Sequence, residues 1–509
     1  MLLAFSTFII ALHVFYFSFP RFQVLNTWYR QPPFHVWGFF AAYNSVSKLG
    51  LTSQSVGKAI LPETSGHLAS KLQNVIRGYP LKMAVIGGSH SAGGGIENIG
   101  HAYHSLIENW FEKIVQPNTG SFLEKLQISI GGTGSDFFDF CLANFISNDV
   151  DIFLIELSDN DRGTKYGSAV VPMEKLTRRI LSLASAPAII YIEVVGNLGI
   201  NKYAGKKLNP HCKNLEDYGQ NELVSHYGAA AIRWREVVCP LTSTNSRKHK
   251  SISELTESKL ISKDGLHVGD VGHAQIAYLV ISYFQRIFEM LMQNPSPVAD
   301  SGDGEGSSLI AEEDNASPLP PPLFYNENVY DAVPPLCWTL LSPDFHRGLF
   351  PQTLTVKITS NKGFYYIEPN AKRFNSMHSN GRRDSFCGWA TGGVSNRIVF
   401  GFTVPSPEAS SYQSYGYLTQ YNQGRSLSVV VRENDVGTDA LVWIDDQKKQ
   451  SKKIKTKRFE GESHVHSVAS NVPPGYHQLT VQTTKKGSFQ ISGIIVGPKQ
   501  FNGYKYYRV

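Results

Sequence analysis

The pattern of apolar and polar residues along the chain changes near residues 72, 294 and 330. From about residue 72 to residue 292, short and nearly continuous apolar runs alternate with stretches in which apolar residues recur at helical spacing. The runs predict four strands, Met83–Ile86, Leu126–Ile130, Val150–Leu157 and Pro187–Val195. The helical spacing predicts a helix over Glu97–Val115 and a closing helix over Val271–Met292. Apolar strands separated by helices are typical of a parallel sheet with helices on both faces, so an α/β domain is predicted here.

The chain after about Tyr330 loses this helical periodicity and is predicted to be all-β. Turn residues separate six short predicted strands, Leu354–Ile358, Asn396–Phe402, Ser426–Val431, Ala440–Ile444, His477–Val481 and Ser488–Val496. This series is typical of a β-sandwich, in this case one of jelly-roll-like type. Asn294–Leu323, between the two regions, is rich in Pro, Ser and Gly and carries six acidic residues without a Lys or Arg. Such a segment cannot bury enough apolar area to offset the entropy of ordering, so it is predicted to be a flexible linker.

The amino terminus opens with an uncharged, mostly apolar stretch, Leu2–Phe19. Its 18 residues are close to the minimum that crosses a bilayer as a helix, and neither a basic leader nor a small-residue cleavage site is clear. We expect a membrane anchor or signal segment, and a buried N-terminal helix is the alternative. The predicted segments are a signal or anchor (1–20), an N-terminal lead-in (21–77), the α/β domain (78–293), an acidic linker (294–325) and a β-sandwich domain (326–509).

The composition excludes several classes of protein but does not indicate a function. The chain has 509 residues, of which 42% are hydrophobic and 18% charged, so a wholly disordered, collagen-like or polytopic membrane protein is excluded. The net charge of +6 sums an acidic linker and a basic run over Lys448–Arg458. We interpret the run as a solvated hairpin, with an anionic polysaccharide or lipid headgroup as the alternative partner. No nucleic-acid partner is expected, because no recognisable binding fold accompanies the run.

The cysteines and the paired histidines of the second domain are weak candidates for special chemistry. The five cysteines form no CxxC pair, so a structural zinc site is not predicted. Cys337 and Cys387 could form a disulfide in an oxidising compartment, or could equally be core thiols. His464 and His466 lie on one face of a strand, but no further ligand is identifiable, so no metal is predicted.

Four short motifs carry most of the chemical information. Each follows a predicted strand or precedes the closing helix: Gly87–Gly93, Gly131–Ser135, Ser158–Asp161 and Asp264–His273. A serine after the first strand, Ser89, would project its hydroxyl above the carboxyl edge of the sheet, where ligands of open α/β sheets bind. A glycine-rich turn can also bind phosphate, but the turn contains no GxGxxG and no GKS/T. The three-residue spacing of Asp264 and His267 allows one turn to set the carboxylate against the imidazole.

In these motifs the chain resembles the SGNH (GDSL-like) hydrolase superfamily over about Lys82–Met292. The resemblance implies a flavodoxin-like three-layer domain with a parallel sheet. It implies that Ser89 is the nucleophile and that Asp264 and His267 complete a catalytic triad. It also implies an oxyanion hole made by Ser89, Gly132 and Asn160.

The chain departs from the family pattern at one position. Gly88 stands where the name-giving motif has Asp, so the turn reads G-G-S. Gly131 and Gly134 compete with Gly132 for the oxyanion role. His90 is interpreted as a loop or pocket residue and His273 as a structural one.

The resulting hypothesis is a serine esterase that hydrolyses an ester, such as an O-acetyl group on a carbohydrate, through an acyl-enzyme. The alternatives are a carbohydrate O-acyltransferase that uses the same triad and a non-catalytic protein that binds a glycan or a cell-surface partner. No cofactor is expected, and the expected partner is a small-molecule or polysaccharide ester. The expected location is the secretory pathway, with the protein extracellular or anchored by residues 2–19.

Overall fold

Six strands of the first domain form one sheet in a computed structural model of the chain. The structure describes residues 49–62, 65–161, 170–195, 220–242, 251–293, 319–325, 335–343, 351–367, 387–406, 425–432, 437–456 and 462–497. The predicted anchor at residues 2–19 lies outside these ranges. Within them, no helix combines the length and the apolar character that crossing a membrane requires.

The sheet has the order β1-β6-β5-β4-β2-β3. Its strands are β1 (Ile60–Leu61), β2 (Leu81–Gly87), β3 (Leu123–Ser129), β4 (Ile152–Glu156), β5 (Ala188–Glu193) and β6 (Ala230–Arg233). β2 to β6 are parallel, and only β1 at the edge pairs antiparallel, so the predicted parallel sheet is in fact mixed. Without β1, the order is that of doubly wound sheets in which the chain reverses direction beside the first strand. Here that reversal lies at β2, between β3 and β4.

Helices cover both faces of this sheet. They are α1 (Ser53–Ala59), α2 (Gly66–Ile76), α3 (Tyr103–Trp110), α4 (Gln116–Thr119), α5 (Ser135–Cys141), α6 (Ser158–Asp161), α7 (Val170–Leu181), α8 (Gln220–Tyr227), α9 (Arg235–Thr242), α10 (Ile252–Glu257) and α11 (Asp270–Gln293). One apolar cluster packs α2, α3 and α11 on one face, and a second packs α5 and α7 on the other. The strands are buried on both sides for this reason, which explains their continuous apolar runs.

The predicted helix over Glu97–Val115 is partly wrong. A 3₁₀ turn occupies Ile99–His101, and the α-helix begins only at Tyr103. The chain then continues through a π-helical segment, Phe111–Val115, into α4. The Asn98 side chain accepts a hydrogen bond from the Gly100 backbone N–H at 2.9 Å. This local bond offers the backbone an alternative to the α-helix, as asparagine commonly does in turns.

The second domain is a sandwich of two antiparallel sheets. The first contains β7 (Leu336–Thr339), β9 (Tyr365–Ile367), β10 (Gly388–Thr391), β12 (Arg425–Arg432), β15 (Ser463–Val472) and β17 (Phe489–Gly497). The second contains β8 (Val356–Lys362), β11 (Arg397–Val404), β13 (Asp439–Ile444), β14 (Lys452–Lys455) and β16 (Gly475–Thr483). The inner faces of both sheets share one apolar cluster. The described part of the basic run includes β14, an edge strand, where lysines discourage pairing with another sheet.

The two domains share buried surface and a covalent bond. Val430 and Ile495 of the sandwich belong to the apolar cluster on the α5 face of the first domain. Cys337 on β7 forms a disulfide with Cys141 at the end of α5, so a Cys337–Cys387 pair is excluded. Cys239 is disulfide-bonded as well. The end of the acidic segment also contacts the first domain, where Glu174 accepts a hydrogen bond from the Phe324 backbone N–H at 2.8 Å.

Removal of the Cys141–Cys337 disulfide should destabilise the protein. The bond closes a loop across a sequence separation of 196, and the chain-entropy model gives a loop of that length up to about 5 kcal/mol of stability. We expect C141A, C337A and the double variant to lower the free energy of unfolding by the same amount, because each breaks the same bond. Chemical denaturation of the three variants tests this. Additive losses in the double variant would mean that the two side chains act separately.

Candidate active site

Three of the predicted site residues follow adjacent strands at the carboxyl edge of the sheet. Ser89 lies in the turn after β2, Gly132 in the loop after β3 and Asn160 in the short helix after β4. β3, β2 and β4 are neighbours, so the three residues surround the point where the strand order reverses. Ligands of open α/β sheets bind at this point. The fold therefore places these residues at its expected ligand site.

His267 and Asp264 reach this site from the loop before α11. His267 Nε2 lies 3.0 Å from Ser89 Oγ, and its Nδ1 lies 2.7 Å from Asp264 Oδ2. An ionised carboxylate can only accept a hydrogen bond, so Nδ1 carries the proton and Nε2 is left to accept from the serine hydroxyl. The three side chains, predicted from two widely separated motifs, thus form a continuous Ser-His-Asp hydrogen-bonded series.

Asp264 is held in its ionised form. Burial opposes ionisation, but the hydrogen bonds to His267 and Ser262 outweigh it and hold the pKa of Asp264 below its usual value. The backbone N–H groups of Leu266 and His267 donate to Oδ1 at 2.8 and 3.1 Å. A carboxylate in this state orients the imidazole and stabilises it when it becomes protonated.

The Asn160 side chain packs against the turn at Gly88. A Cβ atom on Gly88 would overlap Oδ1 of Asn160. This oxygen is buried and makes no hydrogen bond to any described residue. With Oδ1 against Gly88, the amide group can lie directly over the turn that carries Ser89. A residue with a side chain at position 88, such as the Asp of the G-D-S pattern, would displace the Asn160 side chain from this position.

Gly132 is positioned by the second domain. Its φ is +66°, and its carbonyl oxygen accepts a hydrogen bond from the Ser463 backbone N–H at 2.7 Å. Thr133 and Ser463 form an isolated parallel β-bridge, and the Val465 N–H donates to Asp136 at 3.2 Å. The loop after β3 is thus held by the first residues of β15. The sequence motifs gave no indication of this contact between domains.

Two further groups near Ser89 were not identified from the sequence. A Cβ atom on Gly94 would lie 2.9 Å from the imidazole of His267, so only glycine allows the turn to approach the ring this closely. Glu156, the last residue of β4, accepts hydrogen bonds from the Ser91 N–H and hydroxyl at 3.1 and 3.0 Å. Burial raises the pKa of this glutamate. Its carboxyl group anchors the turn beneath the serine.

Asp161 links the loops after β3 and β4. Its Oδ1 accepts a hydrogen bond from the Ser135 backbone N–H at 2.8 Å. Burial raises the pKa of Asp161 to about 8, and burial raises the pKa of the neighbouring Asp136 as well. Asp161 is therefore largely protonated at neutral pH.

The raised pKa of Asp161 predicts a pH-dependent stability. Its folded-state pKa lies above the unfolded value of about 4, so the unfolded state releases a proton that the folded state keeps. Stability should consequently fall as the pH rises between about 4 and 8. In D161N the amide oxygen can still accept a hydrogen bond from the Ser135 N–H, but the side chain no longer titrates. The loss of stability that Asp161 causes between these pH values should therefore disappear. Unfolding midpoints measured between about pH 4 and pH 8 should show that the stability of D161N increases relative to that of the wild type as the pH rises. Parallel curves for the two proteins would contradict the assignment.

The remaining histidine candidates have structural surroundings. His273 is fully buried, stacks on Tyr103 and accepts from the Tyr103 backbone N–H at 3.3 Å, and burial holds its pKa well below the usual value. His464 Nε2 lies 3.1 Å from Glu462 Oε2. No group of three or more His, Cys, Asp or Glu residues in the described ranges is arranged to hold a metal ion. The His90 ring lies next to the ring of His267, with centroids 5.3 Å apart.

Comparison with known proteins gives a fold relationship. No protein-family model and no curated protein matches the sequence. Among solved structures, the chain is similar to a two-domain esterase (CEX) active on acetylated mannans, with 17% identity, a TM-score of 0.53 and coverage of 86% of this chain and 96% of that one. A structure of such an esterase with mannopentaose gives 16% identity, a TM-score of 0.51 and the same coverage. At these identities the likeness establishes a shared two-domain fold.

Proposed function

We propose that the protein is a serine esterase of the SGNH type that removes acyl groups, and specifically O-acetyl groups, from a carbohydrate. The observation that carries the proposal is the series Ser89–His267–Asp264, with contacts of 3.0 and 2.7 Å. It lies where a flavodoxin-like sheet binds its ligands. A serine, a base that can take its proton and a carboxylate that orients the base are the parts that acyl transfer through serine requires.

The reaction would proceed in two halves. Ser89 Oγ attacks the ester carbonyl carbon while His267 Nε2 takes the hydroxyl proton, and Asp264 stabilises the imidazolium that forms. The imidazolium then gives the proton to the departing sugar oxygen, which leaves the acyl group on Ser89. A water molecule attacks this acyl-enzyme, His267 takes its proton, and the proton returns to Ser89 as the acid is released.

The negative oxygen of each tetrahedral intermediate needs hydrogen-bond donors. We assign the Ser89 and Gly132 backbone N–H groups and the Asn160 side-chain amide to this role. The support is their placement after three neighbouring strands and the orientation of Asn160, whose Oδ1 faces Gly88 and leaves Nδ2 as its donor. Donors fixed in advance for a developing oxyanion are commonly the largest electrostatic contribution to such reactions.

The proposal of a carbohydrate substrate is based on the fold relationship. Two similar solved structures that span both domains are of a two-domain esterase active on acetylated mannans. The β-sandwich is hydrogen-bonded to the Gly132 loop, so a polysaccharide whose ester reacts at this site would lie beside the sandwich. The Cys141–Cys337 disulfide supports a location in the secretory pathway or outside the cell, because disulfides persist in oxidising compartments.

The test is acid release from a panel of esters by the full chain. The panel contains acetylated mannan, other acetylated polysaccharides and short-chain aryl esters, with S89A as the baseline. We expect acetate release from at least one acetylated polysaccharide and none above baseline with S89A. Equal inactivity of wild type and S89A across the panel would exclude the enzyme and favour a binding protein. An added sugar acceptor that gains acetyl in place of water would identify an acyltransferase.

A further inference from the structure

Three residues adjacent in sequence to the proposed catalytic residues meet in the interior of the first domain. His90 follows Ser89, Asp159 precedes Asn160 and Val268 follows His267. The Val268 backbone N–H donates to His90 Nδ1 at 3.2 Å, and His90 Nε2 lies 3.1 Å from Asp159 Oδ2. One imidazole therefore connects the turn after β2, the helix after β4 and the loop before α11.

These contacts determine which nitrogen of the His90 ring carries the proton. Because Nδ1 accepts a hydrogen bond from an amide, it carries no proton, so Nε2 carries the proton and donates it to Asp159. His90 is completely buried, and its ring lies edge-on to that of His267 with centroids 5.3 Å apart. A neutral, buried ring with both nitrogens bonded is suited to holding its neighbours and not to exchanging protons with substrate.

We propose that His90 and Asp159 are positioning residues that hold Ser89, Asn160 and His267 in the geometry needed for catalysis. This inference rests on the proposed function. The three loops that carry these residues come from separate parts of the chain, so a link through their neighbours sets their relative positions. Small errors in those positions are costly, since a displacement of about 1 Å can lower a rate by about a hundredfold.

The second domain contains a similar buried histidine with an aspartate partner, far from the candidate active site. His477 in the sandwich lies 2.9 Å from Asp445 through Nδ1 and 2.8 Å from the Pro473 carbonyl through Nε2. It is also buried. H477A therefore removes a buried histidine with an aspartate partner and serves as a control for loss of stability alone.

The experiment compares kcat per active site in H90A, D159A, D159N and H477A. A covalent phosphonate ester that reacts with Ser89 counts active sites, so an unfolded fraction does not enter the result. We expect H90A and D159A to lower kcat by about ten- to a hundredfold with KM changed less than about threefold. D159N should stay near the wild type, because its amide oxygen can accept the same hydrogen bond. H477A should keep the wild-type kcat.

The double variant H90A/D159A should lose no more activity than either single variant, because both interrupt one link. If H90A does not fold, H90N serves in its place, since its amide oxygen can accept from Val268 but cannot reach Asp159. The inference would be overturned if H90A or H90N kept the wild-type kcat per site, or if its kcat fell only as much as that of H477A. Ester hydrolysis by the wild type would still support the proposed function in that case. A wild type that neither hydrolyses esters nor reacts with the phosphonate would overturn both.

Discussion

Replacing Ser89 or His267 with alanine should lower kcat by about 10⁴- to 10⁶-fold, because neither residue of a serine–histidine pair works without the other. The contact of 3.0 Å between His267 Nε2 and Ser89 Oγ is the only route by which the described residues move the hydroxyl proton in the proposed reaction. The double variant S89A/H267A should be no slower than either single variant. D264N should lose about 10⁴-fold, because the amide favours the wrong imidazole tautomer.

Initial rates on an aryl ester and on the best polysaccharide of the panel measure these losses. H101A is the control, since the half-exposed His101 lies 3.0 Å from the mostly buried Asp270 and is not part of the Ser89–His267–Asp264 series. It should retain the wild-type kcat. A wild-type rate in S89A, or losses that multiply in S89A/H267A, would show that these residues do not act as one catalytic unit.

Introducing the aspartate of the G-D-S pattern by Gly88→Asp should strongly lower the activity. Any side chain at this position overlaps Oδ1 of Asn160, so the amide must move away from the turn. Loss of one oxyanion donor costs about 10²- to 10³-fold in kcat, and we expect G88D to reach this range. N160A should give a loss of the same size. G88D/N160A should be no better than N160A, because removing the clash does not restore the donor.

G57D is the matched control for this substitution. Gly57 is exposed in α1, and a Cβ atom there meets nothing within 4 Å. It should leave kcat and the unfolding midpoint near their wild-type values. Full activity in G88D would mean that Asn160 can leave its position without cost and is not an oxyanion donor.

The sequence was sufficient to locate the strand ends around which the candidate site residues lie. The apolar runs located β2, β3, β4 and β5, and the motifs after them led to Ser89, Gly132 and Asn160. The D-x-x-H spacing led to Asp264 and His267, whose contact is local. The structure brings Ser89, Gly132 and Asn160 together because the carboxyl ends of neighbouring parallel strands must meet at one edge of the sheet.

The sequence was insufficient wherever a contact joins distant segments. β1 is a two-residue antiparallel edge strand, too short for its pattern to be distinguished from a loop. The Cys141–Cys337 disulfide and the Ser463–Gly132 hydrogen bond depend on how the two domains dock, which no local pattern encodes. The packing of Asn160 against Gly88 likewise depends on how the loops after β2 and β4 meet, which no local pattern encodes.

The Cys141–Cys337 disulfide also determines what proteolysis can do to this protein. The bond connects the domains across the acidic segment, so that segment is not their only covalent connection. A protease that cuts between residues 294 and 318 would produce two fragments that migrate together on a non-reducing gel and separate after reduction. The hydrogen bond from Ser463 to Gly132 would still be in place in such a nicked molecule. Cleavage of the acidic segment would therefore leave a two-chain protein with its candidate active site complete.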